Sequence, residues 1–578
     1  MLLQKLTEYA DRESDIEDLP LLYELIPVKW LIQLDSKGKY QGIICTTGDP
    51  EKKSDRGKRY PVPTVVRSSG VKPKLLADRA DYVLGLIAPD AKPKQVKRTG
   101  ECHQAFLALT RECAAQTRLP EVQAVMTFLN ELDLNTLDLP EDIDPGDNVT
   151  FIVENTMPIA LPPVQEMWAN SQASTEEMAQ CLVCGKFKPP MKRQPIKIKG
   201  IPGGQSSGMA LVSANAKAFE SYGLEASLIA PICQECSYAY GQALNSLIRG
   251  EDSHLTIGPS VYVFWTRGKS SFTPAQILRT PHPNDIKKLI ESVYSAKSSF
   301  FPDPTQFYAL SLTSSGGRVA VRDWLVTTVG EVQRNLAYYF KAQKLVDREG
   351  EYGQPYGLFT LAVSLFASGK EIKAHVIQAF MKAALLGRAL PRWVLYQAIR
   401  RCAVEQTVTR PRAAIIKMAL GWEQYREKEE GLMEKLDPAN CNPGYLCGRL
   451  LSILEFIQKA ALPGIKATIV DRYYGTASSA PAAVYGRLLR TTQAHLTKLR
   501  KEKTGAHNVL QRDLEEVLSK LKEFPSTLNL QDQALFALGY YHQRVKGWGS
   551  AGKCRLEATA SQITQGEEGL TDEHEGLS

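Results

Sequence analysis

Cys181-Leu-Val-Cys184 and Cys233-Gln-Glu-Cys236 enclose the glycine-rich run Ile198-Lys-Gly-Ile-Pro-Gly-Gly-Gln-Ser-Ser-Gly208. Four thiolates in two Cys-x-x-Cys pairs provide the tetrahedral ligand shell that Zn²⁺ prefers, and they leave no open position for catalysis. The 48 residues between the pairs exceed the roughly 12 to 20 of compact zinc fingers and ribbons. A long insertion nevertheless costs little closure entropy. The pattern therefore predicts a structural zinc ion, and two buried, unligated cysteine pairs are the alternative.

Basic charge is concentrated in and near this stretch. From Cys181 to Phe219 there are seven Lys or Arg and no Asp or Glu, and residues 51–100 contain thirteen Lys or Arg against five acidic residues. The whole chain carries a formal net charge of only +7, so these two stretches more than account for the excess. Locally concentrated positive charge attracts polyanions, which favours a nucleic-acid partner.

The glycine-rich run allows the backbone to approach a phosphate or a groove wall closely, because glycine has no side chain in the way. The run is not a Walker loop, since no Gly-Lys-Ser/Thr closes it, and it does not fit the Gly-x-Gly-x-x-Gly of dinucleotide sites. A plain mobile loop is the alternative. The neighbouring Lys197 and Lys199, with the hydroxyls of Ser206 and Ser207, favour contact with nucleic acid.

Alternating apolar residues predict strands in the first part of the chain. Val28–Leu34 and Tyr40–Cys45 flank a turn at Ser36-Lys-Gly38 and indicate a β-hairpin. We expect this hairpin to pair with three later strand-like segments, which are Tyr60–Arg67, Val261–Trp265 and Phe307–Leu312. Helical periods separate the strands at Leu75–Leu86, Cys102–Gln116 and Val122–Leu132.

From about residue 320 the periodicity becomes helical. The helical segments are Asp323–Gln343, Leu358–Phe366, Ala374–Leu386 and Arg392–Val404. After a turn at Asp437–Pro443, four more helices with short connectors predict a bundle. The fold class is therefore α+β. A mixed strand and helix amino-terminal domain with a zinc-stapled insertion precedes an all-α region that ends in a helical bundle.

The length of 578 residues predicts three or four domain-sized units. We place an α+β amino-terminal domain at 1–322, which contains the Cys/Gly-rich basic insertion at 175–245. A helical region at 323–436 and the helical bundle at 437–548 follow. Residues 549–578 are acidic and poor in apolar side chains, which predicts a disordered tail.

Composition excludes several classes of protein. Without a run of 18 uninterrupted apolar residues or a secretory signal, neither a membrane span nor export is supported. The odd number of 11 mostly scattered cysteines suits a reducing cytoplasm better than a disulfide framework. The eight histidines are far apart, with no His-Glu-x-x-His and no Gly-x-Ser-x-Gly. We therefore expect neither enzymatic activity nor an organic cofactor.

The central block resembles a known family. Ile198–Gly223, followed by Ala230–Tyr240 and Ala243-Leu-Asn245, is similar to the signature block of the large subunit of type I-C CRISPR Cascade complexes. Further similarities lie in Val62–Gly85, Val263-Phe-Trp265, Asn442–Arg449 and Leu538–Arg544. The resemblance covers nearly the whole chain, and its long central block is specific.

The resemblance implies a cytoplasmic, prokaryotic ribonucleoprotein in which CRISPR RNA reads the target by base pairing. The large subunit would inspect the short flanking motif (the PAM), with 1–322 as its DNA-sensing domain. It would also help open the duplex, hold the displaced strand of the R-loop and dock the nuclease-helicase. Its other partners would be the Cascade backbone and guide-end subunits. A small subunit corresponding to the carboxy-terminal region would be made from an internal start, for which Met418 and Met433 are the candidates.

The resemblance and the local chemistry select two sets of candidate DNA contacts. Glycine backbone and amide side chains suit close groove approach, so the first set is Lys197, Lys199, Gly203, Gly204, Gln205, Ser206 and Asn215. The second set, expected to grip phosphates, is Arg67, Ser69, Lys72, Lys74 and Arg79. Arg318 and Arg322 are added to these, with an ordinary surface role as their alternative.

Two other functions are compatible with the residues. One is a zinc-stapled nucleic-acid-processing enzyme outside CRISPR, whose acidic residues assemble only in the fold. The other is a plain helical scaffold, for which neutralising residues 192–199 would leave DNA affinity unchanged.

Overall fold

The computed structural model describes residues 1–13, 19–48, 55–65, 67, 70–134, 137–171, 178–214, 216–294, 303–427 and 433–547. It confirms the α+β class, with small sheets towards the amino terminus and helices towards the carboxy terminus. Two compact units are present. The first comprises Met1–Gly250 and Ser314–Ala320, and the second comprises Glu251–Thr313 and the chain from Val321. The boundary at residue 322 stays a prediction about where separate domains begin.

Six strands of the first unit form two sheets. They are β1 (Tyr23–Pro27), β2 (Trp30–Leu34), β3 (Tyr40–Cys45), β4 (Arg59–Pro63), β5 (Ala77–Arg79) and β6 (Asn148–Val153). Two further short strands, β7 (Ala179–Gln180) and β8 (Phe187–Lys188), pair with each other. The predicted hairpin is confirmed as the antiparallel pair β2 and β3. Its sheet has the order β3-β2-β6-β5, with β2 parallel to β6. The expected pairing of Tyr60–Arg67 with the hairpin is wrong, because β4 pairs with β1 in a separate sheet.

Helices surround these sheets in the first unit. They are α1 (Leu2–Arg12), α2 (Ala80–Val83), α3 (Pro93–Thr117), α4 (Pro120–Asn130), α5 (Pro162–Ser171) and α6 (Gln234–Arg249). Proline opens α3 and α4, where its fixed φ suits the first helical position. The predicted helix over Leu75–Leu86 is wrong in its first part, since β5 precedes the single turn of α2.

The second sheet system lies between residues 254 and 328. Its strands are β9 (His254–Ile257), β10 (Ser260–Thr266), β11 (Gln306–Ser315) and β12 (Arg318–Thr328), in the order β12-β11-β10-β9. Val261–Trp265 and Phe307–Leu312 are strands as predicted, but they pair with each other and not with the hairpin. The helix predicted from Asp323 begins only at Val329, because β12 continues to Thr328.

The second unit is otherwise helical. Its helices are α7 (Pro274–Arg279), α8 (Pro283–Tyr294), α9 (Val329–Gln343), α10 (Leu358–Ser364), α11 (Ala374–Leu386), α12 (Arg392–Glu405), α13 (Arg410–Glu427), α14 (Pro443–Ala461), α15 (Ile469–Ser479), α16 (Tyr485–Glu502), α17 (Thr504–Lys520) and α18 (530–547). α14 packs against α15, α16 and α17. The described part of the predicted bundle therefore holds five helices, with α15 in addition to the four expected.

Two glycines set the closest helix contact of this bundle. A Cβ on Gly448 of α14 would lie 2.0 Å from the Phe536 carbonyl oxygen, and one on Gly539 of α18 would lie 2.2 Å from the Tyr445 carbonyl oxygen. Only glycine permits this backbone approach, which explains the glycines in Asn442–Arg449 and Leu538–Arg544.

No helix among the described residues is both long enough and apolar enough to cross a membrane. The acidic tail predicted at 549–578 lies outside the described residues.

Candidate metal centre and nucleic-acid interface

The four cysteines of the two Cys-x-x-Cys pairs meet in one cluster. The sulfur atoms of Cys181, Cys184, Cys233 and Cys236 all lie within 4.8 Å of one another, and they could hold a metal ion. The first pair lies in the turn between two short antiparallel strands at Ala179–Gln180 and Phe187–Lys188. The second pair is at the start of α6, where Cys233 is the N-cap residue. The long insertion between the pairs therefore does not keep them apart.

Backbone groups orient the cluster towards a shared centre. The N–H groups of Val183 and Cys233 both donate to Cys181 Sγ, each at 3.4 Å. Cys184 Sγ and Cys233 Sγ are 3.9 Å apart, close to the roughly 3.8 Å edge of a tetrahedron whose zinc–sulfur bonds measure about 2.3 Å. The donor set and its spacing fit a tetrahedral thiolate site.

The acidities of these thiols differ. Burial would raise the pKa of Cys181, but hydrogen bonds from backbone N–H groups outweigh it and lower that pKa to about 7. Burial raises the pKa of Cys233 to about 11 and that of Cys236 well above its ordinary value. The protein alone therefore disfavours several adjacent thiolates, and a bound dication would supply the compensating charge.

The glycine-rich run forms a tight double turn. Ile198 and Met209 exchange backbone hydrogen bonds at 2.8 and 2.9 Å across its base. Gly204 N–H donates to the Ile201 carbonyl at 3.0 Å, and Gly208 N–H donates to the Gln205 carbonyl at 2.9 Å. Gly208 has a φ of +84°, and a Cβ there would lie 2.9 Å from Lys197 Cβ. The loop has a defined conformation, with Gly203, Gly204, Gln205 and Ser206 exposed at its tip.

The side chains of Asn245 and Ser314 hold this loop in place within the first unit. The Asn245 side chain accepts from Lys199 N–H and donates to the Lys197 carbonyl, both at 3.0 Å. On the other side, Ser314 Oγ donates to the Pro202 carbonyl at 3.1 Å. Asn245 belongs to α6, the helix that begins at the second cysteine pair. The cysteine cluster and the loop therefore share one structural support.

The structure brings members of the two candidate DNA-contact sets together. Lys199 Nζ lies 3.3 Å from a carboxylate oxygen of Glu24. Lys74 belongs to the second set, and burial lowers its pKa; Glu24 and Asp78 oppose this effect, while Arg67 and Lys199 add to it. Lys74 and Lys199 are therefore within electrostatic range of each other, which the sequence alone did not indicate.

Two arginines of the second set have carboxylate partners. Arg67 forms an ion pair with the buried Asp78 and stacks over Tyr82 at 4.3 Å. Arg79 pairs with Asp81. Both guanidinium groups therefore have a structural role, whereas Lys72 is exposed. Ser69 lies outside the described residues, as does Asn215 of the first set.

The two added arginines differ in their surroundings. Arg318 stacks over Phe219 at 4.2 Å, and its strand bridges Ala210 just after the glycine-rich loop. Arg322 donates to Thr313 Oγ1 at 2.8 Å within its own sheet. Arg318 therefore lies at the loop, and DNA contact by either residue stays a prediction.

The family described as CRISPR-associated protein (Cas_Csd1) matches residues 6–547. The chain belongs to the Cas_Csd1 family. No curated protein matches it.

This Cas_Csd1 protein contains a cavity of about 630 Å³ beside the loop. Four basic residues line it together with Glu220, Glu225 and small residues; the basic ones are Lys192, Arg193, Lys197 and Lys217. Lys192 and Glu225 are 3.0 Å apart. Gln194 also lines the cavity, and the sequence did not single it out as a functional residue. Its only sequence signal is its place inside the acid-free basic stretch.

Proposed function

We propose that this chain is the large subunit of a type I-C CRISPR RNA-guided surveillance complex, and that it recognises the PAM in double-stranded DNA. Membership of the Cas_Csd1 family supports a role in a CRISPR complex with nucleic acids. The observation that carries the proposal is the ordered glycine-rich loop, whose exposed tip is flanked by Lys197, Lys199 and Arg318.

The loop suits close inspection of a groove. Gly203 and Gly204 present no side chain, so the backbone can approach base edges closely, and the Gln205 amide can donate to and accept from them. Lys199 and Lys72, both exposed, suit the phosphates on either side, which position a protein without reading sequence. Gln205 is therefore assigned to reading the flank, and the lysines are assigned to affinity.

The finer roles belong to the same proposal. The chain would aid duplex opening, stabilise the displaced strand and support recruitment of the nuclease-helicase. Its partners would be CRISPR RNA through the complex, the backbone and guide-end subunits, and a small subunit equivalent to its own carboxy-terminal region. The place of work would be the cytoplasm of a prokaryote.

The cysteine cluster is assigned a structural zinc ion. Cys181, Cys184, Cys233 and Cys236 supply four thiolates, which fill a tetrahedral shell. Such a shell leaves no position for a substrate or an activated water. The zinc would hold the start of α6 against the first cysteine turn. In this proposal the chain is not itself a nuclease.

The deciding experiment uses the type I-C complex reconstituted with guide RNA, with and without this chain. Duplex binding is measured across a library randomised beside the target. We expect flank discrimination to require the chain. Gln205→Ala should relax discrimination by about 1–3 kcal/mol, whereas Lys199→Ala should weaken binding of all flanks alike. Lys466→Ala, at an exposed position of the second unit, is the matched control.

Unchanged discrimination and affinity without the chain would reject the proposed role. The isolated chain is then incubated with DNA and divalent metal ions. Cleavage that specific carboxylate substitutions abolish would establish the alternative, a nucleic-acid-processing enzyme.

A further inference from the structure

The cavity beside the glycine-rich loop is lined by basic side chains, which we call its rim, and by the buried side chain of Gln194. Four basic side chains line it against two carboxylates, Glu220 and Glu225. Its volume of about 630 Å³ falls within the roughly 300–1,000 Å³ of sites that enclose small organic ligands. The rim therefore favours an anion, and the space is larger than a phosphate group alone requires.

Gln194 is a buried polar residue among those that line this cavity. The side chain is only 5% exposed, and its Oε1 accepts a hydrogen bond from the Tyr240 hydroxyl at 2.6 Å. Its Nε2 is buried and has no hydrogen-bond acceptor among the residues that the structure describes. Since an unsatisfied buried donor is unfavourable, a ligand that supplies an acceptor at this point gains from it.

We propose that the cavity binds one unpaired nucleotide of DNA, with its base edge towards Gln194 Nε2 and its phosphate towards the rim. This inference rests on the proposed function, because opening of the duplex would supply the unpaired strand. Every base carries a carbonyl oxygen or a ring nitrogen that accepts a hydrogen bond. Proteins that accommodate an unstacked base bind its Watson–Crick edge in a snug pocket.

The cavity is positioned by the elements that hold the loop and the cysteines. Tyr240 lies one helical turn beyond Cys236 in α6, and Pro190, shortly before Gln194 in the chain, forms an isolated β-bridge with Cys233. Gln205 and Gly317 line the cavity from the loop side. A nucleotide in the cavity would therefore lie directly beside the loop that is assigned to the duplex.

The test uses the full-length chain and two fluorescein-labelled oligomers of equal charge. One is the pentamer of deoxythymidylate, and the other is a pentamer of abasic tetrahydrofuran phosphates. We expect the wild type to bind the thymidylate oligomer about three- to tenfold more tightly, the worth of a hydrogen bond between neutral groups. Ala216→Phe fills the cavity from an exposed lining position and should remove this preference.

Ala218→Phe is the matched control, since Ala218 is also exposed but does not line the cavity. It should retain the wild-type preference. Gln194→Glu keeps an acceptor for the Tyr240 hydroxyl but replaces the amide donor, and it should lose the preference as Ala216→Phe does. Circular dichroism confirms that each variant is folded.

Equal binding of the two oligomers by the wild type, or an unchanged preference in Ala216→Phe, would overturn the inference. This assay needs neither guide RNA nor a flank. If the wild type prefers the thymidylate oligomer but flank discrimination in the library experiment does not require the chain, the cavity assignment is retained and only the PAM-reading role is rejected. The opposite result would reject the cavity assignment alone.

Discussion

Arg67 and Lys72 show how two basic residues of one stretch differ in role. The Arg67 guanidinium neutralises Asp78, whose side chain is only 1% exposed. We expect Arg67→Ala to lower the free energy of unfolding by about 1.5–3 kcal/mol, because it leaves a buried carboxylate without its charged partner. Lys72→Ala should change stability by less than about 0.5 kcal/mol. Urea denaturation of both variants measures the difference.

The same pair separates structural from DNA-binding roles. Lys72→Ala should weaken DNA binding and reduce its salt dependence by about one charge, while the stability of the protein is unchanged. If Arg67→Ala is as stable as the wild type, the ion pair with Asp78 does not have the structural role that its burial indicates.

The buried Lys417 should make the free energy of unfolding depend on pH. Its side chain is fully buried, and its Nζ donates to the carbonyls of Ala342 and Lys344. Burial lowers its pKa to about 7, with Glu434 opposing this and the Lys344 ammonium adding to it. Between pH 7 and about 10 the unfolded chain therefore binds the additional proton. The free energy of unfolding should rise with pH by up to about 1.4 kcal/mol per unit from this group.

Lys417→Met removes the titrating group and should remove this rise. Urea unfolding at pH 7, 8 and 9 is compared between the wild type and the variant, because the other titrating groups then cancel. The difference in stability should grow in favour of the wild type as the pH increases. Parallel pH curves would show that Lys417 keeps its proton in the folded state.

At the residue scale, a site could be predicted where residue type and spacing alone define its chemistry. The four cysteines could be assigned to one cluster because few other functions need two Cys-x-x-Cys pairs, and the structure brings them together. Gln194 carried no such signal. The contact that distinguishes it comes from Tyr240, 46 residues away, which donates to its Oε1, while its buried Nε2 has no acceptor among the described residues.

At the scale of elements, local periodicity found most helices but not the strand partners. The hairpin β2 and β3 followed from alternation, whereas its parallel neighbour β6 was missed. Thr150 of β6 is a buried polar residue that donates to the Leu76 carbonyl at 2.9 Å, so the apolar pattern is interrupted there. The helix predicted over Asp323–Gln343 includes the end of β12, which continues to Thr328.

The element most dependent on the cysteine cluster is α6. Its first turn carries Cys233 and Cys236, and its later turns hold the cavity through Tyr240 and the loop through Asn245. We expect one zinc ion per chain by elemental analysis. Removing it, by a chelator or by Cys236→Ser, should lower the thermal midpoint of the first unit. A loss of about 3 kcal/mol corresponds to roughly 6–12 °C in a unit of this size.

Cys441→Ser is the control for this substitution, since Cys441 is an exposed cysteine of the second unit. It should retain the zinc and the wild-type midpoint. The alternative is that the cysteine pairs pack together without a metal ion. In that case the zinc-free protein and the same protein with added zinc would have the same thermal midpoint.

At the scale of the whole molecule, the class could be predicted but the grouping of elements could not. Which sheets share a core depends on packing between distant segments, and local periods do not record it. The strands between residues 254 and 313 illustrate this, since they were assigned with the hairpin but belong to the unit that contains the bundle. Gly448 and Gly539 lie where two backbones meet, a contact between distant segments that the sequence analysis did not assign.

The helix bounds at the start of the bundle distinguish the two candidate internal starts, Met418 and Met433. A chain that begins at Met433 contains α14 to α18 complete, whereas one that begins at Met418 starts within α13. Met418 is buried in α13. The Trp422 carbonyl of the same helix accepts a hydrogen bond from Tyr338 of α9, and both fragments lack α9. We expect the fragment 433–578 to be helical and monomeric, with a cooperative thermal transition. The fragment 418–578 should aggregate more readily, because residues of α13 lose their apolar cover.

Circular dichroism melting and size-exclusion chromatography of the two fragments decide between the starts. The contact from Tyr541 to the Val346 carbonyl at 2.7 Å is lost in both fragments, so it does not bias the comparison. A non-cooperative transition in 433–578 would mean that the bundle needs the preceding helices for its stability. Such a result would make a separately synthesised small subunit from Met433 untenable, since a fragment without its own core cannot assemble as a folded partner.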